Sequence, residues 1–354
     1  MICARLLQPL AAALLLVSFV ASPARGQAGV PPAYDSFYVF GDSLADNGNV
    51  WLTSQLIDPG QLTGPWPPPQ GTYFQGRFSN GRVAFEYLWQ ALATDGPALV
   101  PYMSAPVLGR TGAVNFAFGG TGTPLLDQTP GGLWAPGLRG QVELFALGLR
   151  GRRPSSKALY AIVSGANDYR VGAYNVPMAP KAVVKNITDS VTRLYGLGAR
   201  EILLLTLPDL GKLPYLTAEQ IAQGSALTAD HNRRLLEETD KLSTRYPQMK
   251  LRLVDVDAAF VILRNDLEAR GIPTGVAALD FLHPAPITNL DGNAVLLPTG
   301  QPAPMSACLF VAPALCASLV AAETPFPLLF WDVVHPTTFA HGFLASYMLD
   351  QLQQ

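Results

Sequence analysis

Ser43 stands in Phe40-Gly41-Asp42-Ser43-Leu44, where the first apolar run of β type ends. Asp332-Val333-Val334-His335-Pro336 lies near the far end of the chain. A serine hydroxyl becomes a useful nucleophile only when a base takes its proton. Histidine is that base near neutral pH, and a carboxylate three residues before it can hold the imidazole in one tautomer. Together the three residue types specify nucleophilic acyl transfer. Ser43 attacks a carbonyl, His335 accepts the proton and Asp332 orients the ring. The commoner serine-hydrolase elbow G-x-S-x-G is missing, and the nucleophile comes first in chain order, which argues against an ordinary α/β-hydrolase.

Strands and helices must bring the two strings together. Short apolar runs at 36–40, 113–118, 158–164, 201–207 and 251–256 are near-continuous, as expected for parallel strands buried on both faces. Helical spacing appears at 83–93, 138–149, 182–197, 227–246 and 338–352. Phe339, Phe343, Tyr347 and Met348 are expected to form the apolar face of the last helix. Alternating strands and helices predict one three-layer α/β/α domain over residues 29–354, of α/β class with a central parallel sheet. Asn115-Phe116-Ala117-Phe118-Gly119-Gly120 and Ser164-Gly165-Ala166-Asn167-Asp168 each end a predicted strand, as the Ser43 string does. The three therefore gather on one sheet edge, where ligands bind in open parallel sheets. Two Pro/Gly-rich segments, 58–76 and 271–329, break the pattern and are candidate cleft walls or lids.

Composition narrows the partners. The chain has 354 residues, 49% hydrophobic and only 14% charged. Arg5 precedes an apolar run at 10–21, and small residues follow at Ser22, Ala24, Gly26 and Ala28. Residues 1–28 thus read as a cleaved secretory leader, too short for a stable membrane anchor. Removing it takes Arg5 and Arg25 and leaves 22 basic against 26 acidic residues, a net charge of −4. With no basic stripe, nucleic acid is not an expected partner. Cys308 and Cys316 are the only cysteines outside the leader, and in an oxidising compartment they read as a local disulfide, with two buried thiols as the alternative. No metal or cofactor is expected: His231, His283, His335 and His341 are the only histidines, and no CxxC or HExxH spacing occurs.

In this order and at strand ends, the four strings resemble the blocks of the GDSL esterase/lipase family, the SGNH hydrolases. The resemblance spans about residues 35–350. Gly76-Arg77-Phe78-Ser79-Asn80-Gly81-Arg82 and Leu207-Pro208-Asp209-Leu210-Gly211 are similar to segments of its larger secreted members. The cysteine pair before the histidine block is similar to that in esterase domains of bacterial autotransporters. No β-barrel sequence follows, so release rather than display is expected. The resemblance implies a flavodoxin-like fold and a serine ester hydrolase acting on carboxylic esters. It implies an oxyanion hole made of the Ser43 N–H, a glycine N–H and the Asn167 side-chain amide. Gly120 fits the glycine position, with Gly119 left open.

Several alternatives stay open. Asp280-Phe281-Leu282-His283-Pro284 repeats the D-x-x-H-P spacing, but His335 directly precedes the last helix, where the family places its histidine. Asp42 and Asp168 read as structural, and His231 and His341 as helix residues outside the chemistry. Trp66, Tyr73 and Phe74 are candidate substrate-binding residues. They could wall an apolar groove for longer acyl chains, as in a lipase, phospholipase or acyltransferase, or stack on sugars in a polysaccharide deacetylase. A non-catalytic binding protein on the same scaffold would be expected to have lost a catalytic position, and here Ser43, Asn167, Asp332 and His335 are all intact.

Overall fold

A computed structural model describes residues 34–57, 73–93, 96–105, 112–130, 132–170, 177–278 and 328–353. The expected leader, Trp66, the second D-x-x-H-P string, Cys308 and Cys316 lie outside the described residues.

The strands are β1 (Ser36–Gly41), β2 (Val100–Pro101), β3 (Ala113–Asn115), β4 (Leu126–Gln128), β5 (Trp134–Pro136), β6 (Ala158–Val163), β7 (Glu201–Leu205) and β8 (Lys250–Val254). The α-helices are α1 (Asn49–Ile57), α2 (Ala84–Leu92), α3 (Leu138–Leu149), α4 (Pro180–Leu197), α5 (Ala218–Arg245), α6 (Val256–Ala269) and α7 (Thr338–Leu352). Six strands form a parallel sheet in the order β2-β3-β1-β6-β7-β8, while β4 and β5 make a separate antiparallel hairpin. Setting the edge strand β2 aside leaves the second-first-third-fourth-fifth order of the flavodoxin-like class.

The pleat explains the layers. Successive residues of a strand face opposite sides. Phe37, Val39, Leu159, Ala161, Leu203 and Leu205 pack on α2, α6 and α7. Tyr38, Phe40, Tyr160, Ile162, Ile202 and Leu204 pack on α3, α4 and α5. Every residue of β1 and β6 is buried, as expected for central parallel strands.

The expected elements are present, with instructive differences. β3 spans only Ala113–Asn115; beyond it the Phe116 and Phe118 N–H groups still donate to the Val39 and Gly41 carbonyls, and the Asn49 amide takes the carbonyls of Asn115 and Ala117, both at 2.8 Å. α5 starts at Ala218 rather than 227, because Thr217 and Gln220 form a reciprocal capping box ahead of any apolar period. The short α1, the hairpin and α6 carried no strong period. The buried face of α7 is Ala340, His341, Leu344, Ala345, Met348 and Leu352. Phe339, Phe343 and Tyr347 are only partly buried beside it, so the aromatic stripe is not the buried face.

One buried side chain ties the sheet edge to a helix. From α3, Gln141 accepts from the Gly41 N–H at 2.8 Å and donates to the Gly41 and Pro136 carbonyls at 2.8 and 3.0 Å. Gly41 admits no Cβ, which would stand 2.0 Å from the Val163 carbonyl oxygen, so β1 and β6 approach closely just before Ser43. Gln141→Leu would leave the Gly41 N–H buried without an acceptor. Equilibrium urea unfolding is expected to show a loss of about 2–3 kcal/mol.

Candidate active site

Ser43 sits on the turn that leaves β1. The Ala45 and Asp46 N–H groups donate to the Asp42 carbonyl at 3.1 and 2.9 Å, and the Leu44 N–H donates to the Asp42 carboxylate at 3.1 Å. This tight turn lifts the Ser43 hydroxyl from the strand end. Its Oγ lies 2.9 Å from His335 Nε2, across 292 positions of sequence. On the other side of the ring, His335 Nδ1 lies 2.6 Å from Asp332 Oδ2. The residues expected to act together therefore form one continuous hydrogen-bonded chain.

Asp332 is nearly buried and saturated. Its Oδ1 accepts from the Val334 and His335 N–H groups at 2.8 and 2.7 Å. Its Oδ2 accepts from His335 and from the Tyr73 hydroxyl, the latter at 2.7 Å. Burial alone would push this carboxyl up, but the imidazole and these donors outweigh it and hold it below the ordinary aspartate value. An ionised Asp332 keeps Nδ1 protonated and Nε2 a free acceptor for the serine proton.

The histidine loop is clamped by the segment 73–82. Phe78 packs its ring on the imidazole with centroids 5.1 Å apart. Ser79 donates to the Pro336 carbonyl at 2.9 Å, and the Asn80 side chain accepts from the Thr338 N–H at 2.8 Å. Thr337 then caps α7 by accepting from the Ala340 N–H at 3.3 Å. Tyr73 is thus buried behind the site and bonded to Asp332, not placed on a cleft wall. Phe74 stacks under the Arg77 guanidinium, also away from the residues lining the cleft. Both depart from the substrate-binding expectation. Local patterning sees an aromatic in a Gly/Pro-rich loop but not a partner 259 positions away.

The second string is fixed to the first by Asp46. Its buried carboxylate accepts from the N–H groups of Gly48, Asn49, Val50 and Gly119, at 2.7, 2.6, 3.1 and 2.9 Å. Burial pushes Asp46 up to about 6 against these donors, so it is ionised at neutral pH. The Asn115 amide adds a bond to the Ala45 carbonyl at 2.6 Å. Gly119 is pressed against Phe78, where a Cβ would stand 2.0 Å from the ring. Asp46 uses the Gly119 N–H. The Gly120 N–H makes no hydrogen bond among the described residues, and neither does the Ser43 N–H. Gly120 has φ +77°, the left-handed region that suits glycine. The geometry therefore favours Gly120 over Gly119 as the open donor.

Asn167 follows β6 at the start of a 3₁₀ turn, and its amide donates to the Thr121 carbonyl at 3.2 Å. An amide nitrogen has a second N–H, and Asn167 faces the same cleft as Ser43, Gly120 and His335. Asp168 turns away to hold Thr123 through its N–H and hydroxyl. The cleft, about 820 Å³, runs from these groups toward Leu210, Leu213 and Phe260 beside α5 and α6. It opens beyond the carboxyl ends of β1 and β6, where the strand order reverses. His231 and His341 are buried outside it. His231 meets the Tyr169 hydroxyl at 2.7 Å, and burial lowers it to about 4, so it is neutral.

Asp42 has one unpartnered buried oxygen, Oδ2, and burial pushes its carboxyl up to about 7. In the unfolded chain the same group ionises near 3.8. Folding therefore takes up a proton between about pH 4 and 7, so stability falls as pH rises through that range and stays lowered above it. Asp42→Asn imitates the neutral acid. Urea unfolding at pH 5 and pH 8 is expected to show the margin of the variant over wild type widening by about 2–3 kcal/mol between the two. At pH 8 the variant should be the more stable, by up to about 4 kcal/mol.

The family model for GDSL-like lipase/acylhydrolase matches residues 37–348. A phosphatidylcholine-sterol acyltransferase of Aeromonas hydrophila is 27% identical over 347 residues, covering 89% of each chain. A GDSL esterase/lipase of Arabidopsis thaliana is 31% identical over 247 residues, 63% of this chain and 65% of that one. Among solved structures, a variant of an acetyl xylan esterase from Geobacillus stearothermophilus matches with a TM-score of 0.39 and 14% identity. It covers 90% of this chain and 94% of that one.

Proposed function

The chain belongs to the GDSL-like lipase/acylhydrolase family, and from that premise we propose a secreted, metal-independent serine ester hydrolase that works through Ser43, His335 and Asp332. One observation carries the assignment: the unbroken run Ser43 Oγ to His335 Nε2 at 2.9 Å and His335 Nδ1 to Asp332 Oδ2 at 2.6 Å. It lies beside two backbone N–H donors that have no other partner among the described residues.

Ser43 Oγ bonds to the ester carbonyl carbon as its proton passes to His335 Nε2. The carbonyl oxygen becomes an oxyanion, received by the N–H groups of Ser43 and Gly120 and by the Asn167 amide. Each such donor is worth about 10²–10³ in turnover. The imidazolium, held by Asp332, protonates the leaving alcohol and the carbon–oxygen bond breaks. Water then repeats the sequence on the acyl-enzyme, releasing the acid and restoring Ser43. The apolar N-terminal run supports the proposed export.

Carboxylic esters of short acids are the proposed substrates. A second proposal, an acyl hydrolase or acyltransferase for longer chains, draws support from the cleft, whose far end carries Leu210, Leu213, Leu227 and Phe260. The sterol acyltransferase relative is consistent with it. A p-nitrophenyl ester series from acetate to palmitate decides between them. Hydrolysis is expected to fall by at least about 10³-fold in Ser43→Ala. A maximum on short chains supports the esterase, and a maximum on long chains supports the lipase. Ser43-independent turnover, or none, would sink both.

A further inference from the structure

Arg170 joins three segments at the edge of the cleft. One guanidinium nitrogen, Nη1, donates to the Asn167 side-chain oxygen at 3.1 Å and to the Gly120 carbonyl at 3.3 Å. The other, Nη2, donates to the Gln128 carbonyl at the end of β4, at 3.1 Å. Gly120 and Asn167 come from different strand ends, 47 positions apart. They are also the residues whose N–H groups receive the oxyanion in the acyl-transfer proposal, and the role assigned to Arg170 rests on that proposal.

The chemistry of the groups has two consequences. Arginine has only donors, so the atom of Asn167 that faces it must be the amide oxygen. The Thr121 carbonyl can only accept, so the atom that faces it must be the amide nitrogen. The amide is thereby fixed from both sides against a flip, with its second N–H left for the cleft. A cation on the oxygen also polarises the amide and makes that N–H a stronger donor, an effect that grows where water is excluded. At Gly120 the same guanidinium holds the carbonyl, and with it the left-handed conformation that leaves the Gly120 N–H unpaired.

We infer that Arg170 is a positioning residue for the oxyanion site, setting the Gly120 and Asn167 donors together through a single guanidinium. Its planar fork, not its charge alone, suits this task, since three carbonyl-type oxygens on different segments must be met at once.

The test uses the full chain and a boronic acid, which forms a tetrahedral anionic adduct on an activated serine and so reports the oxyanion site apart from ester chemistry. In Arg170→Met, kcat and boronic-acid affinity are expected to fall together by about 10–100-fold, with KM moving less than about threefold. Arg170→Lys is expected to fall between Met and wild type. In an Asn167→Ala background the Arg170→Met step should lose most of its effect, because the two act as a unit. Substrate binding and boronic-acid binding weakened by equal factors would overturn the inference, as would a full, additive Arg170→Met penalty in the Asn167→Ala background. So would adduct formation indifferent to Arg170. A wild type with neither Ser43-dependent hydrolysis nor adduct would overturn the acyl-transfer proposal, and this inference with it. Thermal unfolding of each variant separates these outcomes from simple loss of fold.

Discussion

The Asp46 carboxylate is the interaction on which the site most depends. Three of its four N–H donors come from the start of α1 and one from Gly119. A buried carboxylate is costly unless its lone pairs are filled, and here backbone donors fill them. Those donors sit at fixed places on two separate loops, so satisfying the charge also fixes the distance between the Ser43 turn and the glycine loop. The choice between Gly119 and Gly120 is set by it. Asp46 takes one N–H of the doublet, and the next is left facing the cleft. Asn115 and Asn49 reinforce the join with neutral hydrogen bonds to the same two loops.

A different device places His335. His335 lies on a loop, and loops hold geometry poorly unless their polar groups are tied down. Asp332 closes its own loop by accepting two backbone N–H groups, then presents its second oxygen to the ring. The segment 73–82 reaches across from the other end of the chain and supplies Tyr73, Phe78, Ser79 and Asn80 to that loop. Hence the strand-end serine and the C-terminal histidine can meet at 2.9 Å although no strand carries the histidine.

What was legible in the sequence divides along physical lines. The central strands β1, β6 and β7 are buried on both faces, so their apolar runs stand out. Three of the four strings were legible because they close apolar runs of β type, and the fourth because Asp332 and His335 stand three positions apart just before a helical period. The role of Tyr73 was not, because its meaning lies in a partner 259 positions away. The bond from the Gly119 N–H to Asp46 spans 73 positions and leaves no local trace. Arg170 comes soon after the Asn167 string but carries no period or spacing that marks it. The hairpin β4–β5 is three residues per strand, too short for alternation to show.

Asp42 shows a cost that the fold accepts beside Ser43. Its neighbours Asp46 and Asp168 are buried too, but backbone and hydroxyl donors fill their oxygens. Asp42 has one oxygen satisfied by the Leu44 N–H and the other facing no donor. Local rules would place an amide or a small polar group there, and such conflicts concentrate at functional sites. The turn needs an acceptor at this position to draw Leu44 back and expose Ser43, and a short side chain at the end of a buried strand can offer one only from within the protein. The same burial that shields the Ser43–His335 pair from water therefore leaves Asp42 half-satisfied. The strain is confined to a group whose neutral form relieves it, while the negative charge beside the imidazole stays on Asp332, where every lone pair is met.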